Sequence, residues 1–451
     1  MALDHARWQA ELDGLAREHG VPGAVLAVLA DGEVHEFATG VLHRGTGVAT
    51  TVDSLFQIGS ISKVYTATLV LQLVEEGRLD LDAAVVSVLP EFAVADAEAT
   101  KSVTVRQLLN HTSGIDGDFF HDTGRGDDCV ARYVEACAGL RQNHAPGATM
   151  SYCNSGFTIL GRVVEVVTGQ VWDTALRERV VEPLGLAHTV TLPEEVLRFR
   201  AAMGHTGEPG TEPVPAPVWS LPRSIGPAGG IVASAADVVR FARPHLDGGL
   251  APDGTRLLTA GSVAAMTTPE VEVPNPWRGP SHWGLGWELF DRPGGPVFGH
   301  SGATIGQYAH LDVVPGAGVA VALLTNGGEA GLLHGALVGE LLADLGGVGV
   351  ARFAPPSAPP EVDLTRHLGT YRSEGLDFEL TDRDGVLRMR YRWLGETADL
   401  LPSRDLDFVP VTDTLFAGRA HEHEEWLPLV FYPVGDTAYL HFFLRAVPKT
   451  G

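Results

Sequence analysis

Lysine is nearly absent from this 451-residue chain. Of its 32 basic side chains only Lys63, Lys101 and Lys449 are lysine, and the others are arginine. Arginine stays protonated at any physiological pH, whereas a desolvated lysine can become a neutral base. A lysine inside an apolar segment, as Lys63 is, therefore stands out. Cysteine is equally scarce. Cys129, Cys137 and Cys153 are too few for a disulfide framework and lack the spacing of a metal site. No run of about 18 apolar residues occurs, so no membrane span is expected. Positive charge is in deficit: the formal net charge of -24 argues against nucleic acid and anionic membranes as partners, and its ordinary consequence is solubility. Residues Met1 to Trp8 show no basic n-region, apolar h-region or small-residue cleavage site, which predicts no secretory signal and a cytoplasmic protein.

What is present is globular: 45% hydrophobic and 20% charged residues, enough for a sizeable core. Leu3, Trp8, Leu12 and Leu15 share one side of a predicted helix over 4–19. Val21 to Leu29, the turn Asp31-Gly32 and Val34 to Thr39 read as a β-hairpin. A helix from Ser60 to Glu76 is apolar nearly all round and therefore buried, with Gly77 as its stop. A short helix capped by Thr104 precedes Asn110-His111-Thr112-Ser113-Gly114. The Gly- and Asp-rich stretch 114–128 reads as a surface loop. Helices follow at 130–140 and 157–167. Residues 204–222, rich in Gly and Pro, read as an irregular excursion near the active site. Ser234 caps another helix, with Asp237 at its third position. Trp283-Gly284-Leu285-Gly286-Trp287 and Val297 to Gly302 read as adjacent strands. Tyr308 to Val314 and Val319 to Thr325 form the clearest hairpin, and a helix over 329–345 closes this part. After the Pro-rich segment Ala354 to Pro360 the chain alternates short strands, which suggests a small barrel or curved sheet.

The chemistry centres on Phe56-Gln57-Ile58-Gly59-Ser60-Ile61-Ser62-Lys63. If the helix begins at or just before Ser60, Ser60 and Lys63 share a face with Cβ atoms about 5–6 Å apart. An amine then stands beside a hydroxyl at the positive helix end, where it can take the hydroxyl proton. Taken alone, Ser-x-x-Lys is a loose pattern that chance also produces. Two further patches follow in order, Tyr152-Cys153-Asn154 and His300-Ser301-Gly302. The segments Leu108 to Gly114 and Gly229 to Ser234 support them.

Together these patches resemble the serine β-lactamase and penicillin-binding-protein superfamily, in particular its class C, D-Ala-D-Ala carboxypeptidase and esterase branches, over about residues 15–345. The resemblance implies an α+β fold with helices packed on an antiparallel sheet. It also implies Ser60 as nucleophile, Lys63 as base, Tyr152 as proton relay to the leaving group, and Asn154 as hydrogen-bond partner of Lys63 and the acyl amide. Backbone N–H groups of Ser60 and Ala303 would form the oxyanion hole, and Ser301 and Gly302 would contact substrate. His300 replaces the lysine of the usual Lys-Thr-Gly motif. A histidine can be neutral at pH 7, so a fixed charge for a β-lactam carboxylate is not expected. Leu368-Gly369-Thr370-Tyr371 and the strands after it resemble a lipocalin-like domain. The expected organisation is a catalytic domain over 1–350, a linker over 351–361 and a β-barrel over 362–451.

Competing readings are weaker. Gly299-His300-Ser301-Gly302-Ala303 could be a lipase-like nucleophile elbow, but that needs a helix directly after the serine. His421-Glu422-His423-Glu424-Glu425 could hold a metal, but ligands two apart in a charged loop read as a solvated turn. Lys449-Thr450-Gly451 spells the usual third motif at a place where no strand can continue. Trp219, Trp277, Trp283 and Trp287 read equally as an acyl pocket or as core. Cys153 reads as a packed residue. The sequence thus predicts a serine hydrolase or acyltransferase, without metal or cofactor. It would act through acyl-Ser60 on an amide, ester or thioester that is a small molecule or a peptide, including carrier-linked donors. A penicillin-binding-protein-type thioesterase that cyclises a nonribosomal peptide, a carboxylesterase and a D-amino-acid peptidase are the versions within that class. A catalytically silent binding protein on the same scaffold is the alternative outside it.

Overall fold

The computed structural model describes residues 3–207, 210–350, 353–395, 398, 403–419 and 425–451. Its centre is a nine-stranded antiparallel sheet in the order Val48–Ala49, Glu33–His43, Gly23–Ala30, Val319–Thr325, Tyr308–Val314, Gly295–Ala303, Glu288–Arg292, His282–Trp283, Val271–Glu272. The hairpin that starts it turns at Asp31 (φ 50°) and Gly32 (φ 81°), the left-handed pair a two-residue hairpin needs. Two adjacent inner strands, Gly23–Ala30 and Val319–Thr325, are buried along their whole length. Their side chains alternate between two cores. Ala24, Leu26 and Val28 meet Trp8, Leu12, Leu333 and Leu337 of the helices His5–Glu18 and Ala330–Gly346. Val25, Ala27 and Leu29 face the larger core built on the helices Ser62–Glu75, Asn154–Thr168 and Ala235–Leu246. Each fully buried Leu or Val contributes roughly 1.5–3 kcal/mol of transfer free energy.

The helix Ser62–Glu75 lies inside this core, with eleven residues buried from Ser62 to Leu73. Tyr65 stacks on Phe241 at 3.5 Å between ring centroids. Ser60 itself occupies a tight 3-10 turn, Gly59–Ile61, continuous with the helix. The short helix Val105–Leu109 has Thr104 in a full capping box with Gln107.

Two local expectations fail. The first part of the segment read as a surface loop, Ile115 to Asp118, is buried, because it runs under the barrel. The stretch Trp283 to Trp287 is not one strand: after His282–Trp283 the chain turns at Gly284 and Gly286, and the strand that pairs with Gly295–Ala303 is Glu288–Arg292. Gly286 takes φ 95° within the turn that lets Trp283 pair with Glu288.

Beyond residue 368 eight antiparallel strands follow one another, from Gly369–Arg372 to Arg445–Pro448. The last meets the first through Tyr371 and Lys449, with Thr370 N donating to Gly451 O at 2.9 Å and Thr450 N to Thr370 O at 2.8 Å. The sheet therefore nearly closes into a barrel around Phe378, Phe408, Phe416 and Leu440, and Lys449-Thr450-Gly451 serves that closure. Strands Leu415–Arg419 and Arg445–Pro448 carry no clear sequence signal. The barrel docks on the rest of the chain by hydrogen bonds from main-chain N–H groups, one to a main-chain and two to side-chain oxygens: Tyr152 N to Leu444 O at 2.8 Å, Ala446 N to Ser151 Oγ at 3.1 Å, and Glu374 N to Asp116 Oδ2 at 2.7 Å.

Candidate active site

Two glycines bring the Ser60 turn against the strand Gly295–Ala303. Gly59 has φ 51°, and a Cβ there would lie 2.7 Å from Ala303 N. A Cβ on Gly302 would fall on the Ile58 carbonyl and 2.9 Å from Ser60 N. The amide nitrogens of Ser60 and Ala303 thus border one narrow gap, as two donors around a developing oxyanion would.

Lys63 projects from the first turn of its helix and is fully buried. Its Nζ lies 3.1 Å from Ser60 Oγ, 2.8 Å from Asn154 Oδ1 and 2.7 Å from Ala228 O. Burial draws the amine well below the ordinary lysine pKa. The Arg445 charge acts the same way, while Asp118, Cys153 and Glu288 oppose it. An unprotonated amine suits these neighbours: its two N–H bonds serve the carbonyl oxygens of Asn154 and Ala228, leaving the lone pair for the Ser60 hydroxyl proton.

Tyr152 immediately precedes the helix Asn154–Thr168, whose N-cap is Cys153, with Sγ accepting from Gly156 N at 3.3 Å. The Tyr152 ring stacks on His111 at 4.3 Å, and Lys63 Nζ stands 4.8 Å from the ring centroid. Its hydroxyl has no hydrogen bond of good geometry among the described residues. Burial pushes the phenol up, and Ser60 beside it pulls the other way. That is the state of a group able to hold a proton for a bound ligand.

His300 is buried beside Tyr152 and edge-on to Trp283, with ring centroids at 6.3 and 5.5 Å. Its Nδ1 lies 2.6 Å from Ser301 O, which places the proton there and leaves Nε2 as an acceptor without a partner among the described residues. Glu288, on the neighbouring strand, brings Oε1 to 3.6 Å from His300 Nδ1 and 3.4 Å from Ser301 Oγ. Burial pushes His300 down to about 3 and Glu288 up to about 8, so both are neutral at pH 7.

The structure therefore lines one cleft of about 1640 Å³ with Ser60, Tyr152, Asn154, His300, Ser301, Gly302 and Ala303, and buries Lys63 against Ser60. The 204–222 excursion borders it through His205, Trp219 and Leu221, and the barrel adds Tyr391, Trp393 and Phe443. Of the tryptophans read as a possible acyl pocket, only Trp219 lines the cleft. Trp283 and Trp287 are fully buried, and Trp277 is half exposed against Phe353. Ser301 sits mid-strand and the next element is another strand, so the nucleophile-elbow reading is wrong. Among the described residues no group of three or more His, Cys, Asp or Glu side chains is placed to hold a metal, and no helix is long and apolar enough to cross a membrane. His421 to Glu424 lie outside the described residues.

Three nearby side chains escaped the sequence reading: Asp118, Glu288 and Arg445. Asp118 Oδ1 accepts from Asn154 Nδ2 at 2.7 Å, and Arg445 grips the same carboxylate from the barrel. The one available signal was a lone arginine amid the apolar residues Leu444, Ala446 and Val447.

Comparison with known proteins gives a consistent picture. Residues 8–338 match the model of the beta-lactamase family. The chain is 58% identical over 378 residues to penicillin-binding protein 4 of Amycolatopsis lactamdurans, covering 83% of this chain and 99% of that protein. It is 32% identical to the esterase EstB of Burkholderia gladioli, covering 72% and 91%. Among solved structures SurE superposes with a TM-score of 0.76 at 31% identity over 99% of both chains, and a structure of SurE with D-Leu does so with 0.75 at 30%, again over 99% of both.

Proposed function

The chain belongs to the beta-lactamase family of serine hydrolases, and from that premise we propose that it transfers acyl groups through an ester on Ser60. The observation that carries the proposal is Lys63, fully buried with its Nζ 3.1 Å from Ser60 Oγ and its amine drawn by burial well below the ordinary lysine pKa. In this reading Ser60 Oγ attacks the acyl carbonyl carbon while its proton passes to Lys63 Nζ. The oxyanion forms in the gap between the N–H groups of Ser60 and Ala303, donors typically worth roughly 3–4 kcal/mol each at such sites. The tetrahedral adduct then collapses: the bond to the leaving group breaks, and that group takes a proton through Tyr152. Asn154 holds Lys63 and the acyl amide, and Ser301 and Gly302 lie along the substrate. Deacylation reverses the proton path, with water or an amine as acceptor.

For the acyl donor we propose a peptidyl amide, ester or thioester ending in a D-configured residue, including donors presented on a carrier. Three observations support this. The cleft of about 1640 Å³ exceeds the roughly 300–1,000 Å³ of ordinary small-molecule sites. A full-length structural relative was solved with D-Leu. A neutral His300 supplies no fixed charge for a carboxylate beside the scissile bond. A cleft of that size also accommodates a peptide folded back on itself, which supports cyclisation by the donor's own amine as the second reading.

The test is covalent labelling by a fluorophosphonate or penicillin probe, with Ser60→Ala as control. No labelling of the wild type would leave a binding protein on this scaffold. Equal labelling of the variant would move the nucleophile elsewhere. Peptidyl thioester surrogates ending in a D- or an L-residue, read by mass, then separate hydrolysis from cyclisation and report the stereochemical preference.

A further inference from the structure

The barrel reaches into the catalytic centre. Arg445 opens the strand Arg445–Pro448, directly after a turn in which Phe443 (φ 48°) and Leu444 (φ 64°) both adopt the left-handed conformation. Non-glycine residues resist that conformation, and two in succession mark a turn held by its surroundings. The turn is pinned by Tyr152 N donating to Leu444 O and by Ala446 N donating to Ser151 Oγ. It aims Arg445 inward. Nε donates to Asp118 Oδ2 at 2.8 Å and one Nη to Asp118 Oδ1 at 2.9 Å, while the other Nη donates to Phe443 O at 2.6 Å. The guanidinium carbon lies 4.9 Å from the centroid of the Tyr152 ring.

We infer that Arg445 and Asp118 form a positioning pair through which the C-terminal barrel sets the orientation of Asn154 and, through it, Lys63. The inference rests on the acyl-transfer reading above and extends it to a residue outside the matched family segment. An asparagine amide has an acceptor end and a donor end of nearly the same shape. An ionised carboxylate can only accept, so Asp118 selects Nδ2 of Asn154 and turns Oδ1 toward Lys63 Nζ, 2.8 Å away. The bidentate arginine fork holds that buried carboxylate and fixes its plane. Without the fork, the carboxylate is free to turn and the amide loses its reason to face one way.

The same pair sits among the charged and titratable groups around Lys63. His111 and Asp118 face it from the buried 111–118 segment, and Tyr152 and Cys153 from the start of the helix Asn154–Thr168. Glu288 and His300 face it from the sheet, and Arg445 from the barrel. Arg445 disfavours a proton on Lys63, and Asp118 favours one.

The experiment compares full-length wild type, Arg445→Met, Arg445→Lys and Asp118→Asn on a chromogenic D-acyl ester across pH, with circular dichroism and thermal melting to verify folding. Arg445→Met is expected to lower kcat at least about tenfold with little change in KM, and to move the acidic limb of the rate profile up by about one pH unit. Asp118→Asn should move that limb down. Arg445→Lys keeps the charge but not the fork and should retain the wild-type limb with a reduced kcat, and added guanidinium ion should restore part of the Arg445→Met rate. A purely structural contact would not shift the limb in opposite directions. A folded Arg445→Met with wild-type kcat and limb, or one whose loss shows no limb shift and no guanidinium rescue, overturns the inference. Activity that survives Ser60→Ala overturns the acyl-transfer reading itself. Activity that needs Ser60 and ignores Arg445 overturns the inference alone.

Discussion

Replacing Lys63 by methionine should lower activity while flattening the pH dependence of stability. Lys63 is fully enclosed, and its Nζ touches Ser60, Asn154 and Ala228. Methionine nearly fills the same volume but carries no base. Loss of a positioned general base typically costs 10²–10⁴-fold in rate, so kcat for acylation should fall by about three orders of magnitude. The stability signature follows from proton counting. The unfolded lysine titrates near 10.4, whereas burial places the folded amine well below that. In the window between those two values the unfolded chain binds one proton more than the folded chain. Stability therefore rises with pH there, by about 1.4 kcal/mol per unit. Methionine removes this term, and every other titrating group common to both proteins cancels in the difference. Chemical denaturation of wild type and Lys63→Met at two pH values about one unit apart, just below the lysine range, should show the wild type gaining about 1.4 kcal/mol on the variant. A difference that stays constant with pH would mean that Lys63 is protonated in the folded protein, and the neutral-base argument would fail. Wild-type activity in Lys63→Met would refute the base assignment directly.

Three further outcomes are expected. Tyr152→Phe deletes a hydroxyl that makes no hydrogen bond of good geometry among the described residues and has Ser60 beside it. Its melting temperature should stay near wild type while kcat falls about 10²–10³-fold, and a parallel fall in stability would make Tyr152 a packing residue. Gly302→Ala places a methyl group against the Ile58 carbonyl and 2.9 Å from Ser60 N. Acylation should drop at least about 10²-fold, visible as slow probe labelling, and unimpaired labelling would place the oxyanion elsewhere. Glu288→Gln should flatten stability between about pH 4.5 and about 8, because burial raises the folded carboxyl to about 8. The unfolded chain then binds fewer protons in that window, so wild-type stability falls by about 1.4 kcal/mol per pH unit as pH rises. Equal slopes for the two proteins would show that Glu288 is ionised when folded.

Local chemistry made much of the fold legible. The Asp31-Gly32 turn, the Thr104 and Ser234 caps and the hairpin over 308–325 all depend on residues within a few positions of one another. The same locality explains the two errors. Ile115 to Asp118 is polar and glycine-rich, but it is covered by barrel residues 258 and 327 positions away in sequence, Glu374 on Asp116 and Arg445 on Asp118. The break between Trp283 and Trp287 depends on a left-handed Gly286, and an apolar run does not announce it.

The candidate site divides along the same line. By itself the sequence determined that one lysine stands a helical turn from a serine at the start of a buried helix, because a three-residue spacing is set by backbone geometry alone. It also marked Tyr152, Asn154 and His300 as candidates by their order and surroundings. Only the tertiary structure decided that Lys63 is fully desolvated and that Glu288 keeps a neutral His300 company. Only it showed that Arg445 of the barrel reaches Asn154 through Asp118. The physical reason is that desolvation and charge pairing depend on every chain segment within a few ångströms. Here those segments come from residues 58 to 445, a span that no local pattern can encode.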